Sequence, residues 1–237
     1  MPPFKTLATL LVAAGTLLSL PALADEASVK KALEQKLEGK VESIAKSGYL
    51  NLYEVYIDGQ ILYTDEKVSA IIAGPLLDGK TMQNVTAERM KKLTAVKFSD
   101  LPLDLAIKQV RGNGKRTLVT FEDPNCGYCK RLAKDLQKLD NVTIYTFLHP
   151  ILSPDSMEKS KQVWCAKDKV AAWNEMMSSR PYTGRTDCDT TPVQKSFDLG
   201  RRLNINGTPT LIFTDGERIP GAVPLDVIEQ KLKTLGK

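Results

Sequence analysis

Thr117-Leu118-Val119-Thr120-Phe121, then Glu122-Asp123-Pro124-Asn125, then Cys126-Gly127-Tyr128-Cys129 follow one another without interruption. The first run has the β-branched and aromatic content of a buried strand, and the acid-acid-proline-asparagine stretch breaks it. Beyond the cysteines, Leu132, Leu136 and Leu139 recur at helical spacing while Lys130, Arg131, Lys134 and Lys138 face elsewhere. Cys126 therefore sits where a strand becomes a helix. The unpaired N–H groups of a helix start carry partial positive charge, which favours thiolate over thiol. Two intervening residues place Cys129 about one turn further on, within reach of a mixed disulfide formed at Cys126. Cys126 is expected to be the attacking thiolate and Cys129 the resolving thiol. Half of a zinc site has the same spacing. The other cysteines, Cys165 and Cys188, stand far apart and form no second close pair. The redox dithiol is preferred, with no metal and no cofactor.

The compartment supports that choice. Residues 1–24 carry Lys5, an apolar stretch from Leu7 to Leu20, and Ala22-Leu23-Ala24 as a small-residue cleavage site. This is expected to be a secretory signal peptide cleaved after Ala24, leaving 213 of 237 residues in an oxidising space, with a bacterial periplasm the best match. No cysteine follows the cleavage site, which argues against a lipoprotein. Loss of Lys5 lowers the formal charge from +5 to +4, and the basic residues are interspersed with acids, so nucleic acid is not an expected partner. The single histidine, His149, follows a strand-like Tyr145-Thr146-Phe147-Leu148 and precedes Pro150. A structural or surface role is expected of it.

The mature length accommodates two domains. From 25 to 85, a helix over 29–37 precedes strands over 41–45 and 49–57, an Asp58-Gly59 hairpin turn, a returning strand over 60–64 and another over 68–73. Some sixty residues without a cysteine make a marginal core, so association with a second copy is expected. Residues 86–114 are expected to be a linker with two helical segments. One is capped by Thr86 and runs through Met90 and Leu93. The other is capped by Ser99 or Asp100 and continues through Leu105, Ile107 and Val110 to Gly112.

From 115 to 237 the order is strand, dithiol, helix, a strand over 142–148 and a long helix over 155–177. A helix over 192–203, a strand over 210–213, a short strand near 218–219 and a helix over 224–235 close the chain. This alternation describes an α/β sheet with helices on both faces. Gly207-Thr208-Pro209-Thr210 precedes the third strand, and the residues themselves leave the isomer of the Thr208-Pro209 bond open. Only about one X-Pro bond in twenty is cis.

A Cys-x-x-Cys at a helix start, with Thr-Pro some eighty residues later before an apolar strand, resembles the thioredoxin fold. Cys126-Gly127-Tyr128-Cys129, Trp164-Cys165-Ala166-Lys167-Asp168-Lys169, Gly207-Thr208-Pro209 and Pro220-Gly221 are similar to the DsbC/DsbG family of bacterial periplasmic disulfide isomerases. The similarity is strongest over 119–221. It implies a thioredoxin-like catalytic domain with a helical insertion, a small N-terminal α+β dimerisation domain and a helical linker. It further implies a homodimer that acts on unfolded or misoxidised secreted proteins with chaperone activity, and the inner-membrane reductase DsbD as its electron donor. Residue by residue, it implies that Cys126 and Cys129 are catalytic and that Gly127, Tyr128, Thr208 and Pro209 contact substrate. The same resemblance implies that Thr208 and Pro209 match a cis-proline loop facing the dithiol and that Cys165 and Cys188 match a structural disulfide. Closing that loop of roughly 24 residues contributes about 3 kcal/mol in the chain-entropy account.

Thioredoxins proper carry a buried aspartate six positions before the first active cysteine, where this chain has Thr120. Glu122 and Asp123 are nearer the loop, but charged residues in turns are usually solvated, and no catalytic role is expected of them. Three other readings stand beside the isomerase. The DsbG branch usually has proline where this chain has Gly127, and the extra N-terminal domain argues against a monomeric dithiol oxidase. A non-enzymatic holdase would not need Cys126.

Overall fold

The computed structural model describes residues 23–178, 180 and 182–236, so residues 1–22 of the expected signal peptide lie outside it. The chain divides after Gly74 into two compact units. In the first, α1 (Leu23–Leu37) packs beside a four-stranded antiparallel sheet of β1 (Val41–Lys46), β2 (Tyr53–Ile57), β3 (Gln60–Thr64) and β4 (Ile71–Ala73), ordered as in the chain. Asp58 and Gly59 both have positive φ, the backbone that a two-residue hairpin between right-twisted strands requires. Val29 and Leu33 of the helix bury against Val41, Tyr53, Val55, Ile57 and Leu62. Two strands are shorter than their apolar residues imply. Leu50 and Asn51 are left-handed and Ser47 N–H donates to the Leu52 carbonyl, so the chain turns before β2 begins at Tyr53. Val68 is also left-handed and sinks into the α1 core, while the Asp65 carboxylate accepts the Ser69 and Ala70 amides. Pairing therefore starts only at Ile71.

In the second unit, α2 (Val85–Leu93) is capped by Asn84, whose Oδ1 accepts the Ala87 amide at 2.9 Å. Thr86, expected as the cap, instead accepts the Leu76 amide. The second linker helix does not form. Two single 3₁₀ turns, Phe98–Asp100 and Leu103–Leu105, lead into β5 (Ile107–Arg111), which pairs antiparallel along its whole length with β7 (Val142–Leu148). Pro102 disfavours helical backbone at the residue before it, and Leu101 is extended at ψ 123°. Val110 is exposed while Ile107 is buried, so these apolar residues share no helical face. β5 thus brings residues 107–111 into the sheet of the second unit, ahead of the expected start of that domain at 115.

The remaining elements are β6 (Arg116–Glu122), α3 (Gly127–Leu136), β7, α4 (Pro154–Trp164), α5 (Lys169–Met177) and α6 (Thr191–Arg202), then β8 (Thr210–Phe213), β9 (Arg218–Pro220) and α7 (Leu225–Leu235). The sheet order is β5-β7-β6-β8-β9, with β6 and β7 parallel and the other pairs antiparallel. This is the expected strand and helix alternation around a mixed sheet. The long helix over 155–177 is broken into α4 and α5. Cys165 ends the first and is bonded to Cys188, and the Asp168 side chain caps the second by accepting the Ala171 amide.

Alternation along β6 sends Leu118 to a core with Leu132 and Leu136 of α3 and Ile228 and Leu232 of α7. Val119 and Phe121 go to the opposite face with Leu199 of α6 and Ile212. His149 belongs to that second side. It is fully buried, and its Nε2 lies 2.9 Å from the Ile205 carbonyl oxygen. Burial holds its pKa below the usual imidazole value, with the Ile205 carbonyl working in the other direction. Gly200 of α6 leaves the room for it, since a Cβ there would lie 2.3 Å from His149 Cε1. Gly200→Ala is therefore expected to destabilise the protein by about 1–3 kcal/mol through overpacking, read as a fall in the urea midpoint with an unchanged slope.

Candidate active site

The turn from β6 to α3 is fixed by a buried acid. Asp123 is 0 % exposed. Its Oδ1 accepts the Asn125 amide at 2.7 Å and the Ser156 hydroxyl at 2.8 Å, and its Oδ2 accepts the Ile151 and Leu152 amides at 2.7 and 2.9 Å. The Asp123 carbonyl accepts the Cys126 amide. Asn125 then ties the loop to the start of α4, donating from Nδ2 to the Ser153 and Ser156 hydroxyls and accepting from Lys159 Nζ. The expectation that this acid is solvated in a turn is overturned, because the turn lies under the start of α4.

Cys126 is the N-cap of α3, and its Sγ accepts the Cys129 amide at 3.2 Å. The same sulfur, as a thiol, donates to the Thr208 carbonyl at 3.2 Å. The Thr208-Pro209 bond is cis, and the Pro209 carbonyl accepts the Gly221 amide at 2.7 Å, which attaches this loop to the end of β9. Residues far apart in sequence thus converge on one sulfur. Both cysteines are free thiols; Cys126 is 3 % exposed and Cys129 0 %. Outward, nothing lies within 4 Å of where a Cβ on Gly127 or Gly207 would sit, and Tyr128 is 62 % exposed beneath the Arg131 guanidinium. Cys165 and Cys188 are bonded to each other with their Cα atoms 5.6 Å apart. Among the described residues, no three His, Cys, Asp or Glu side chains cluster as metal ligands would.

Glu122 is the residue whose surroundings differ most from the sequence expectation. It is 1 % exposed, on the same β6 face as Leu118 and Thr120, and Thr120 Oγ1 donates to its Oε1 at 2.7 Å. Burial pushes its carboxyl up to about 7, with the Thr120 hydrogen bond pulling the other way. Burial first, and the nearby Glu122 second, push the Cys129 thiol far above its ordinary range. The signal in the sequence is the two-residue strand period: Leu118, Thr120 and Glu122 alternate onto the helix-covered face.

Residues 103–236 match the family described as "Thioredoxin-like domain", and residues 20–87 match "Disulfide bond isomerase protein N-terminal domain". The probable thiol:disulfide interchange protein DsbC of Bordetella parapertussis is 48% identical over 208 residues, spanning 86% of this chain and 73% of the relative. The chain belongs to the DsbC family. The thiol:disulfide interchange protein DsbC of Escherichia coli K12 is 26% identical over 209 residues, 86% of this chain and 85% of its own. The crystal structure of a disulfide interchange protein from Neisseria gonorrhoeae superposes with a TM-score of 0.54 at 39% identity, covering 58% of this chain and 99% of that one. The activity of this DsbC-family chain is thiol:disulfide interchange, and the Cys126–Cys129 pair fits the Cys-x-x-Cys site that such chemistry needs.

The elevated Glu122 carboxyl fixes a pH dependence. The folded acid holds its proton more tightly than the unfolded one, at about 7 against an ordinary 4.5. Its contribution to stability is therefore fully present below about 4.5 and is lost as pH rises through 7. Glu122→Gln is expected to overtake the wild type in stability across that window, reaching roughly 3 kcal/mol by pH 8, as measured by urea unfolding at pH 4.5, 6, 7 and 8.

Proposed function

We propose that this protein is a periplasmic disulfide isomerase that rearranges non-native disulfides in secreted proteins. The observation that carries the reading is the position of Cys126 Sγ, between the Cys129 amide and the Thr208 carbonyl and beside the open surface at Gly127. Cys126 thiolate attacks a substrate disulfide, forming a Cys126–substrate disulfide and releasing a substrate thiolate. That thiolate attacks elsewhere in its own chain, and when the right pair forms Cys126 leaves unchanged. When rearrangement stalls, Cys129 attacks Cys126 Sγ, the Cys126–substrate bond breaks, and two electrons pass to the substrate. The dithiol must then be reduced again, and the inner-membrane reductase DsbD is the donor we infer from the family. The isomerase needs to stay reduced in a compartment where disulfides form, which the signal-like residues 1–24 imply. Gly127, Tyr128, Thr208 and Pro209 line the approach to Cys126 and are the substrate contacts, and the Cys165–Cys188 bond is structural.

The active form is a homodimer joined through the N-terminal unit. In support, β4 is an edge strand with Ile71 and Ile72 exposed. An unpaired edge carrying apolar side chains is a template for a second copy. Two such arms hold non-native chains between them and supply chaperone activity.

Scrambled ribonuclease tests the reading. Wild-type protein restores ribonuclease activity, Cys126→Ser removes all catalysed recovery, and Cys129→Ser accumulates a substrate adduct visible on non-reducing gels. Recovery by Cys126→Ser at the wild-type rate would replace the isomerase with a holdase. Light scattering at micromolar concentration is expected to give twice the chain mass, and the monomer mass would remove the two-armed arrangement.

A further inference from the structure

One imidazole joins the two loops that meet at the Cys126 sulfur. His149 stands one residue beyond β7, and its amide donates to the Glu122 carbonyl at 2.8 Å, continuing the parallel pairing of β6 with β7 past its last register pair, Glu122 with Leu148. Just beyond it, the Ile151 and Leu152 amides donate to the Asp123 carboxylate. The backbone around His149 is thus fastened to the chain that runs into the dithiol. Its ring reaches a different segment. Edge-on to Phe121 at 6.0 Å between centroids and 5.7 Å from Phe197, the imidazole brings Nε2 to 2.9 Å from the Ile205 carbonyl oxygen. A carbonyl only accepts, so Nε2 carries the proton. Nδ1 is buried without a partner among the described residues, against Gly200, where a Cβ would lie 2.4 Å from it. The ring is therefore neutral, in one tautomer and in one orientation.

Ile205 is the last buried residue before the Thr208-Pro209 loop, since Asn206 and Gly207 are exposed. On the far side of the loop, the Gly221 amide holds the Pro209 carbonyl and Thr210 pairs with Phe121 across β6 and β8. The Thr208 carbonyl, 3.2 Å from Cys126 Sγ, is thus carried on a short span between two anchors. One anchor is the sheet edge. The other is Ile205, held by His149 Nε2 on its carbonyl and by the Gly200 carbonyl on its amide at 2.9 Å. The bonds close a circuit. It runs from the Cys126 amide to the Asp123 carbonyl, from Glu122 through the His149 amide and ring to Ile205, and from Thr208 back to the Cys126 sulfur.

We propose that His149 is a positioning residue for the interchange reaction, its Nε2–H holding the Thr208-Pro209 loop in place over Cys126 for an incoming peptide. This rests on the roles proposed above for Cys126 as nucleophile and for Thr208 and Pro209 as substrate contacts. His149 acts through Ile205 and not on the sulfur. Cys126 is held from its own side by the Asp123 carbonyl on its amide and by the Cys129 amide on its Sγ. A small disulfide, which needs only the sulfur, is therefore indifferent to the imidazole. A peptide that lies along the loop depends on it, because small misplacements of a positioning group are costly in rate.

The test compares two reagents on the reduced full chain. One is 5,5′-dithiobis(2-nitrobenzoate), and the other is a cysteine peptide carrying the 2-nitro-5-thiobenzoate group on its sulfur. In both, Cys126 Sγ bonds to one sulfur, the reagent's S–S bond breaks, and the same coloured thiolate leaves with the electron pair. His149→Leu, which removes the donor, is expected to slow the peptide reaction about tenfold while the first release from the small disulfide stays within about twofold of the wild type. His149→Gln, whose amide can donate from near the place of Nε2, restores most of the peptide rate. Equal slowing of both reagents, an unslowed peptide reaction in His149→Leu, or no rescue by His149→Gln would each overturn the proposal. A second measurement leaves His149 unchanged. It is the single histidine of the chain, so its Nε2–H signal stands alone in the NMR spectrum of histidine-labelled protein. In a Cys129→Ser protein, which traps adducts, that signal is expected to move when Cys126 carries the peptide and to stay when it carries a methylthio group. An identical signal in both adducts would overturn the proposal even where the His149 variants do not fold. Wild-type protein that releases nothing from the small disulfide would overturn the interchange reading together with this one, whereas an intact release with a failed peptide comparison overturns this one alone.

Discussion

The Asp123 carboxylate is the constraint on which the site depends. Four donors from two separate segments meet this fully buried carboxylate, and the Ser156 hydroxyl among them is itself buried. Each buried N–H or O–H left without an acceptor costs about 1–3 kcal/mol, so the loop before Cys126 and the loop before α4 are locked to one another through a single side chain. From that junction the rest follows. α3 starts at a fixed point, Cys126 becomes its cap, and the sulfur is held where the Thr208 carbonyl meets it.

Next to it in the chain, Glu122 has the opposite environment. Its neighbour is saturated with donors, whereas it has one. Two adjacent carboxyls on opposite faces of one strand end therefore differ, one holding backbone through four donors and the other buried with a single one. The pleat separates them: consecutive side chains leave a strand on opposite sides, so a single step along the chain changes which layer of the protein a charge enters.

Much of this was legible in the residues. The strand before the dithiol, the amphipathic helix after it, the Asp58-Gly59 hairpin and the strand after Thr208-Pro209 each have a local cause, and each lies where its pattern places it. What was not legible depends on tertiary context. Leu105, Ile107 and Val110 fit helical spacing, yet the free edge of β7 supplies five register partners and Pro102 blocks the helix before it. Glu122 and Asp123 are charged residues beside a proline, for which exposure is the ordinary outcome. Only the packing of α3 and α4 over the strand end buries them. The cis isomer of Thr208-Pro209 is set by surroundings that the local sequence does not encode.

The unequal shielding of the two sulfurs also orders their exposure to oxidants. Peroxide meets Cys126 first, since Cys129 presents no surface at all. A sulfenic acid formed on Cys126 has a thiol one helical turn away and condenses with it to the disulfide, expelling water before a second oxygen can add. Burial of the second cysteine thus turns an irreversible injury into the oxidised state that a reductant restores.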